Sequence, residues 1–151
     1  MIAPPQSVAP EPAGPVLLFD GECGLCQRIV RRLLRVDREG RLRFAPLQGA
    51  AAQAFLRGRG LATADFDTLI FVPEWGTRLQ AAYLVRTDGV IAALGATGRR
   101  PARAAAAVLA LLPRGLRDAG YRGVARWRYR VFGVWRPEGD LPPGLGKRFL
   151  D

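Results

Sequence analysis

Val16-Leu17-Leu18-Phe19 is an unbroken apolar run that stops at Asp20. A short continuous run of this kind fits a strand buried on both faces, as in a parallel sheet. Beyond Cys23 the period changes. Leu25, Ile29 and Leu33, with Val30 and Val36, recur at spacings of three and four, while Arg28, Arg31, Arg32 and Arg35 take the other face. That pattern predicts an amphipathic helix, ended by Asp37-Arg38-Glu39-Gly40 with Gly40 as its cap. Residues 41–47 alternate polar and apolar and predict a second strand, so strand, helix and strand form one right-handed βαβ unit. A second helix is expected over about 50–59, closed by Gly60. Thr68-Leu69-Ile70-Phe71-Val72 is β-branched and aromatic, a strand. Pro73-Glu74-Trp75-Gly76 is a turn, and residues 78–85 return as an antiparallel partner. Thr87 is placed to cap a further helix containing Val90, Ile91 and Leu94, with Asp88 in its first turn.

The resulting order, β-α-β-α-β-β-α, is that of a thioredoxin or glutaredoxin core. Two more helices follow, at about 102–112 and 116–131, separated by Pro113 and Gly115. Residues 136–145, rich in Pro and Gly, are expected to be a loop. The fold class predicted is therefore α/β, a thioredoxin/glutaredoxin-like core with a helical C-terminal extension. Residues 1–15, rich in Pro and Ala, are expected to be a disordered tail. Residues 16–151 then form one domain, with the core at 16–98 and the extension and tail at 99–151.

A chain of 151 residues, 49% apolar, can bury one proper core but hardly two. The first fifteen residues lack a basic start followed by an apolar stretch, so they do not resemble a secretory signal. The longest apolar run, residues 104–112, is far below the roughly 18 residues a membrane-spanning helix needs. These features predict a cytoplasmic protein, a setting in which paired cysteines are more often catalytic or metal-binding than structural. The chain has no histidine, which removes the commonest general base and the commonest metal ligand. Its net charge is +10, nearly all of it from arginine. Contact with nucleic acid or an anionic membrane is compatible with that charge, although a solvated basic surface is the plainer account.

The only two cysteines lie at the junction of the first strand and the first helix, in Asp20-Gly21-Glu22-Cys23-Gly24-Leu25-Cys26. A helix N-terminus presents free N–H groups and the positive end of the helix dipole, and both favour a thiolate. Two intervening residues make about one turn, so the second sulfur reaches the first. Cys23, expected to be exposed, is then the nucleophile, and Cys26, more buried, the resolving thiol. Asp20 either accepts the Cys26 proton during resolution or is a turn residue capping the helix, and Glu22 faces solvent. Three other accounts of the pair exist: buried structural cysteines, a zinc site and a redox sensor. Zinc would need Asp20 and Glu22, or a second chain, to complete its ligands.

Asp20-Gly21-Glu22-Cys23-Gly24-Leu25-Cys26 resembles the D-x-x-C-x-x-C signature of the DCC family, thioredoxin-like proteins described as thiol–disulfide oxidoreductases. The likeness extends through Arg43-Phe44-Ala45-Pro46-Leu47-Gln48 and Arg86-Thr87-Asp88. It continues in Leu116-Arg117-Asp118, Tyr121, Arg128-Tyr129-Arg130-Val131-Phe132-Gly133 and Arg148-Phe149-Leu150-Asp151. Two departures stand out. Thioredoxins carry a cis-proline before the strand that faces the motif, where this chain has Asp67-Thr68. Many relatives carry a further cysteine where this chain has Arg136-Pro137-Glu138-Gly139, so no relay to a third thiol is available. The resemblance implies dithiol–disulfide exchange through Cys23 and Cys26 with a disulfide substrate and a thiol reductant system, and no metal or organic cofactor. The competing functions are a redox sensor and a basic binding module. The second draws on Arg114, Arg117, Arg122, Arg126, Arg128, Arg130 and Arg136, interleaved with Tyr121, Trp127, Tyr129, Phe132 and Trp135. The simpler account of this segment packs one face on the core, with arginine stems covering its edge.

Overall fold

A computed structural model describes residues 14–64, 66, 69–77, 82–133 and 148–150. Strand β1 (Val16–Phe19) leads into α1 (Gly24–Val36), and β2 (Arg43–Pro46) into α2 (Ala50–Gly58). Then come β3 (Ile70–Val72), a 3-10 turn at Trp75–Thr77, β4 (Leu84–Val85) and α3 (Arg86–Ala96). Helices α4 (Arg100–Leu111) and α5 (Arg114–Phe132) complete the order. The sheet runs β2-β1-β3-β4. β1 and β2 are parallel, as the βαβ crossover requires, and β3 is antiparallel to both β1 and β4. This is the mixed α/β, thioredoxin-like arrangement that the hydrophobic pattern predicts, with helices added at its C-terminal end.

Alternation along each strand divides the core in two. Val16 and Leu18, with Ala45, Ile70 and Val72, face Ala52, Phe55 and Leu56 of α2 and Trp75. Leu17 and Phe19, with Phe44 and Phe71, face Cys26, Val30 and Leu33 of α1 and Ala93 of α3. Each Val, Leu, Ile or Phe so buried stabilises the fold by about 1.5–3 kcal/mol. β1 is covered on both sides, which is why its sequence is a continuous apolar run.

The tail also belongs to this layer. Phe149 pairs with Phe44 beyond the β2 edge, and the Leu150 N–H donates to the Phe44 carbonyl at 2.8 Å. The Phe149 ring lies 5.7 Å from the Phe44 ring and 6.4 Å from Phe19. Asp37, the C-cap of α1, is buried, and its carboxylate accepts the Leu42 N–H at 2.7 Å and pairs with Arg148. Asp37 therefore closes α1 through its backbone N–H to the Leu33 carbonyl, while its carboxylate holds the approach to β2 and fastens the tail.

Several local expectations are corrected. Thr87 is not a helix cap: Val85 holds that position, and the Thr87 hydroxyl instead donates to Asp118 at 3.5 Å. Gly115 lies inside α5, which starts after Pro113. Asp88, in the first turn of α3 as predicted, pairs with Arg114 and Arg117. Arg117 and Arg128 thus point inward, and with Tyr121, whose hydroxyl accepts the Leu69 N–H at 2.9 Å, they hold α5 to the core. Asp67, Thr68 and residues 136–145, where the missing cis-proline, the missing third cysteine and the terminal loop were placed, lie outside the described residues. Among the described residues, no helix is long and apolar enough to cross a membrane.

Candidate active site

The C-terminal ends of parallel strands and the N-terminal ends of the helices that follow them gather at one edge of such a sheet. Cys23 sits there as the N-cap of α1, and Cys26 lies one turn in. Both are reduced. The neighbouring Cys26 thiol and the backbone N–H groups of Cys26 and Leu25 favour the charged form of Cys23. These contacts outweigh burial and, helped by the Arg128 charge, lower the Cys23 pKa from 9.0 to about 6. The Cys26 thiol is pushed the opposite way, first because its proton is held by Cys23 and then by burial. The pair is therefore a thiolate facing a thiol.

Exposure departs from expectation. Cys23 is 0% exposed and Cys26 8%. Cys23 packs into the α1-side core cluster, and beside it the last turn of α5 lies across the start of α1, where the Gly24 N–H donates to the Gly133 carbonyl at 3.2 Å. A Cβ on Gly24 would lie 2.3 Å from the Phe132 carbonyl oxygen, so only glycine allows the helix ends to approach this closely.

Asp20, also buried, is the hub of the polar contacts. One carboxylate oxygen accepts the Glu22 N–H at 3.0 Å and the Gln48 amide at 2.8 Å. The other accepts the Tyr129 hydroxyl and lies 3.3 Å from the Arg128 guanidinium. The Glu22 contact makes Asp20 a turn residue, although Cys23 and not Asp20 is the N-cap. Arg128 also donates to the Phe66 carbonyl, and its Nη1 lies 3.9 Å from the Cys26 sulfur. Burial and the bond to Asp20 push the Tyr129 hydroxyl well above its ordinary pKa, so it remains a donor. A cavity of about 400 Å³ lies against Asp20 and Tyr129, lined also by Glu22, Gln48, Gln53 and Thr63. Neither cysteine lines it. Glu22 is exposed, as expected. Among the described residues, no three of His, Cys, Asp and Glu are grouped so as to hold a metal.

Arg128, Tyr129 and Gln48 were not singled out as site residues by the sequence. Arg128 had a legible signal. Tyr121, Ala125, Arg128 and Phe132 share one helical stripe at spacings of four, three and four, and an arginine inside an inward stripe implies a buried partner.

The lowered Cys23 pKa fixes a pH dependence. The thiolate is favoured in the folded chain, so its stabilisation is complete above the ordinary pKa of 9.0 and is lost as pH falls through about 6. Urea unfolding of the reduced protein and of Cys23→Ser should show the difference in stability growing in favour of the natural chain across that window. A difference independent of pH would mean that Cys23 ionises no more easily in the folded state.

The chain matches the family model of the DCC1-like thiol-disulfide oxidoreductases over residues 17–134. It is 34% identical over 136 residues to the uncharacterized protein YuxK of Bacillus subtilis (strain 168), covering 89% of this chain and 93% of that protein. It is 29% identical over 119 residues to the DCC family protein At1g52590, chloroplastic, of Arabidopsis thaliana, covering 79% of this chain and 65% of that one. No solved structure matches. Spanning both cysteines, the whole sheet and α5, these matches make the chain a member of the DCC1-like thiol-disulfide oxidoreductase family.

Proposed function

We propose that the protein reduces or exchanges disulfides through Cys23 and Cys26 in a reducing compartment such as the cytoplasm. The observation that carries this reading is the placement of two free cysteines one turn apart at the N-terminus of α1, where the ionised form of Cys23 is favoured and that of Cys26 is not. The Cys23 thiolate attacks one sulfur of a substrate disulfide. A Cys23–substrate bond forms, the substrate S–S bond breaks, and the first substrate thiolate leaves. Cys26 then gives up its proton and attacks the Cys23 sulfur, which expels the second substrate thiolate. Substrate gains two electrons, the dithiol becomes the Cys23–Cys26 disulfide, and a thiol reductant regenerates it.

The geometry bears on the part given to Asp20. A carboxylate offers about four acceptor sites; hydrogen bonds from Glu22, Gln48 and Tyr129 take three of them here, and the Arg128 guanidinium forms an ion pair with the same group at 3.3 Å. We therefore assign the Cys26 proton to the departing substrate thiolate, with Asp20 holding the groups around the pair. The cavity beside Asp20 and Tyr129, with carboxylate, amide and hydroxyl lining, suits the polar chain flanking a peptide disulfide. Entry to Cys23 requires the contact between Gly24 and Gly133 to open.

The test is a redox equilibrium in dithiothreitol buffers, read by thiol alkylation and mass. A reversible two-electron couple that disappears in Cys23→Ser is expected. If no intramolecular disulfide forms anywhere in the series, the reading fails. A couple without turnover of any disulfide substrate would instead mark a redox sensor.

A further inference from the structure

Building on the dithiol reading above, we infer that Arg128 is the positioning residue of the pair. It is a buried cation delivered by α5 that aims the Cys26 proton at Cys23 and holds the Cys23 sulfur as thiolate. Arg128 lies far outside the C-x-x-C segment and on a helix added to the thioredoxin-like core. Nothing in the motif itself requires it.

Four contacts set its place. Its Nη2 lies 3.3 Å from the Asp20 carboxylate and donates to the Phe66 carbonyl. Its Nη1 donates to the Cys26 sulfur at 3.9 Å. Its Cζ stands 4.8 Å from the centre of the Tyr129 ring. The side chain is only 5% exposed, so the charge acts at short range with little solvent between it and the sulfurs.

The direction of the hydrogen bonds follows. Because Arg128 donates to the Cys26 sulfur, that sulfur acts as acceptor on the α5 side and its single S–H is left for Cys23. The guanidinium contact to Cys26 thus orders the polar groups so that the negative charge falls on Cys23, one turn away. Among the described residues, the buried charged groups about the pair are Asp20 from the β1–α1 turn and Arg128 from α5, with Glu22 exposed beside Cys23. Tyr129, also from α5, stays neutral and donates to Asp20. Asp20 alone would repel a thiolate. Arg128 stands between that carboxylate and the sulfurs and reverses the sign they feel, in agreement with its lowering influence on both cysteines. It also explains why an arginine is retained in an inward helical stripe, since a buried guanidinium is costly unless charged or polar partners receive it.

The experiment titrates the thiolate of the reduced full-length protein by ultraviolet absorbance against pH, taking the difference from Cys23→Ser. This readout needs no reagent to reach the buried sulfur. Arg128→Gln should move the midpoint upward by about one pH unit or more, roughly a tenfold loss of thiolate on the acid side. Arg128→Lys, which keeps the charge, should fall between the two. A folded Arg128→Gln protein, judged by far-ultraviolet circular dichroism, with the natural midpoint overturns the assignment. Should Arg128→Gln fail to fold, Asp20→Asn is compared with Asp20→Asn/Arg128→Gln, in which neither charge is left buried alone. The midpoint should rise on adding Arg128→Gln, and no rise again overturns the assignment. The two proposals fail separately. A shifted midpoint in a protein that shows no dithiol couple would sink disulfide exchange and leave Arg128 in place. A normal couple with an unmoved midpoint would do the reverse.

Discussion

Asp20→Ala is expected to lower the unfolding free energy of the reduced protein by about 3–5 kcal/mol, the usual cost of removing one partner from a buried ion pair. Against a total of about 5–15 kcal/mol for a domain, that loss is close to the difference between folded and unfolded. The magnitude comes from what is left behind. Arg128 would keep the Phe66 carbonyl and the Cys26 sulfur but lose its counter-charge, while remaining 5% exposed. The Tyr129 hydroxyl, the Gln48 amide and the Glu22 N–H would each lose an acceptor. Asp20 lies in the turn after β1, whereas Arg128 and Tyr129 lie on α5, so the same contacts join the sheet to the C-terminal helix. Urea unfolding at neutral pH, followed by circular dichroism, measures the loss. Asp20→Asn keeps the shape and one acceptor and should lose less. A change below about 1 kcal/mol for Asp20→Ala, the scale of an exposed pair, would show that the carboxylate is not the buried hub described here.

What the sequence made legible follows the range of each interaction. β1, α1 and β2 were readable because their signals are local: an unbroken apolar run, a stripe at spacings of three and four, and alternation. The placement of Cys23 at a helix start was readable for the same reason, since the period changes at that residue. The exposure of Cys23 was not. It depends on packing that forms only in the folded chain, such as the meeting of Gly24 with Phe132 and Gly133 more than a hundred positions away, and no spacing rule connects those residues. Asp20 shows the intermediate case. Its turn contact with the Glu22 N–H is local, while its contacts with Gln48, Arg128 and Tyr129 arise only once β2 and α5 have docked. Thr87 misled because a hydroxyl before an apolar stripe is a sound capping signal, yet the helix begins one residue earlier, at Arg86 with φ 56°. The arginines of α5 are expected to lay their stems along the edge of the core. In the fold they divide, with Arg117 and Arg128 inside and Arg122, Arg126 and Arg130 outside.

The second large effect is expected from a single methyl group. Gly24→Ala places a Cβ 2.3 Å from the Phe132 carbonyl oxygen and 3.3 Å from that of Gly133. The obstacle is backbone, so no rotamer relieves it, and the end of α5 must move off the start of α1. Overpacking of this kind costs about 1–3 kcal/mol, and the gain from replacing glycine in a helix, about 1 kcal/mol at most, does not offset the larger part of that range. The cost falls on the closed arrangement and not on one in which α5 has lifted, so the equilibrium shifts towards an accessible Cys23. Each 1.4 kcal/mol of that shift raises the open population about tenfold. Alkylation of Cys23 by iodoacetamide, located by mass spectrometry, should therefore accelerate by about tenfold while the melting temperature falls. Gly120→Ala supplies the control: it lies in α5 with nothing within 4 Å of the added carbon, and it should leave the alkylation rate alone. If Gly24→Ala alkylates no faster than the natural chain, the end of α5 is not what closes the site. If it does, the C-terminal helix controls when the dithiol meets its substrate, and a fully buried nucleophile is the resting form of the site.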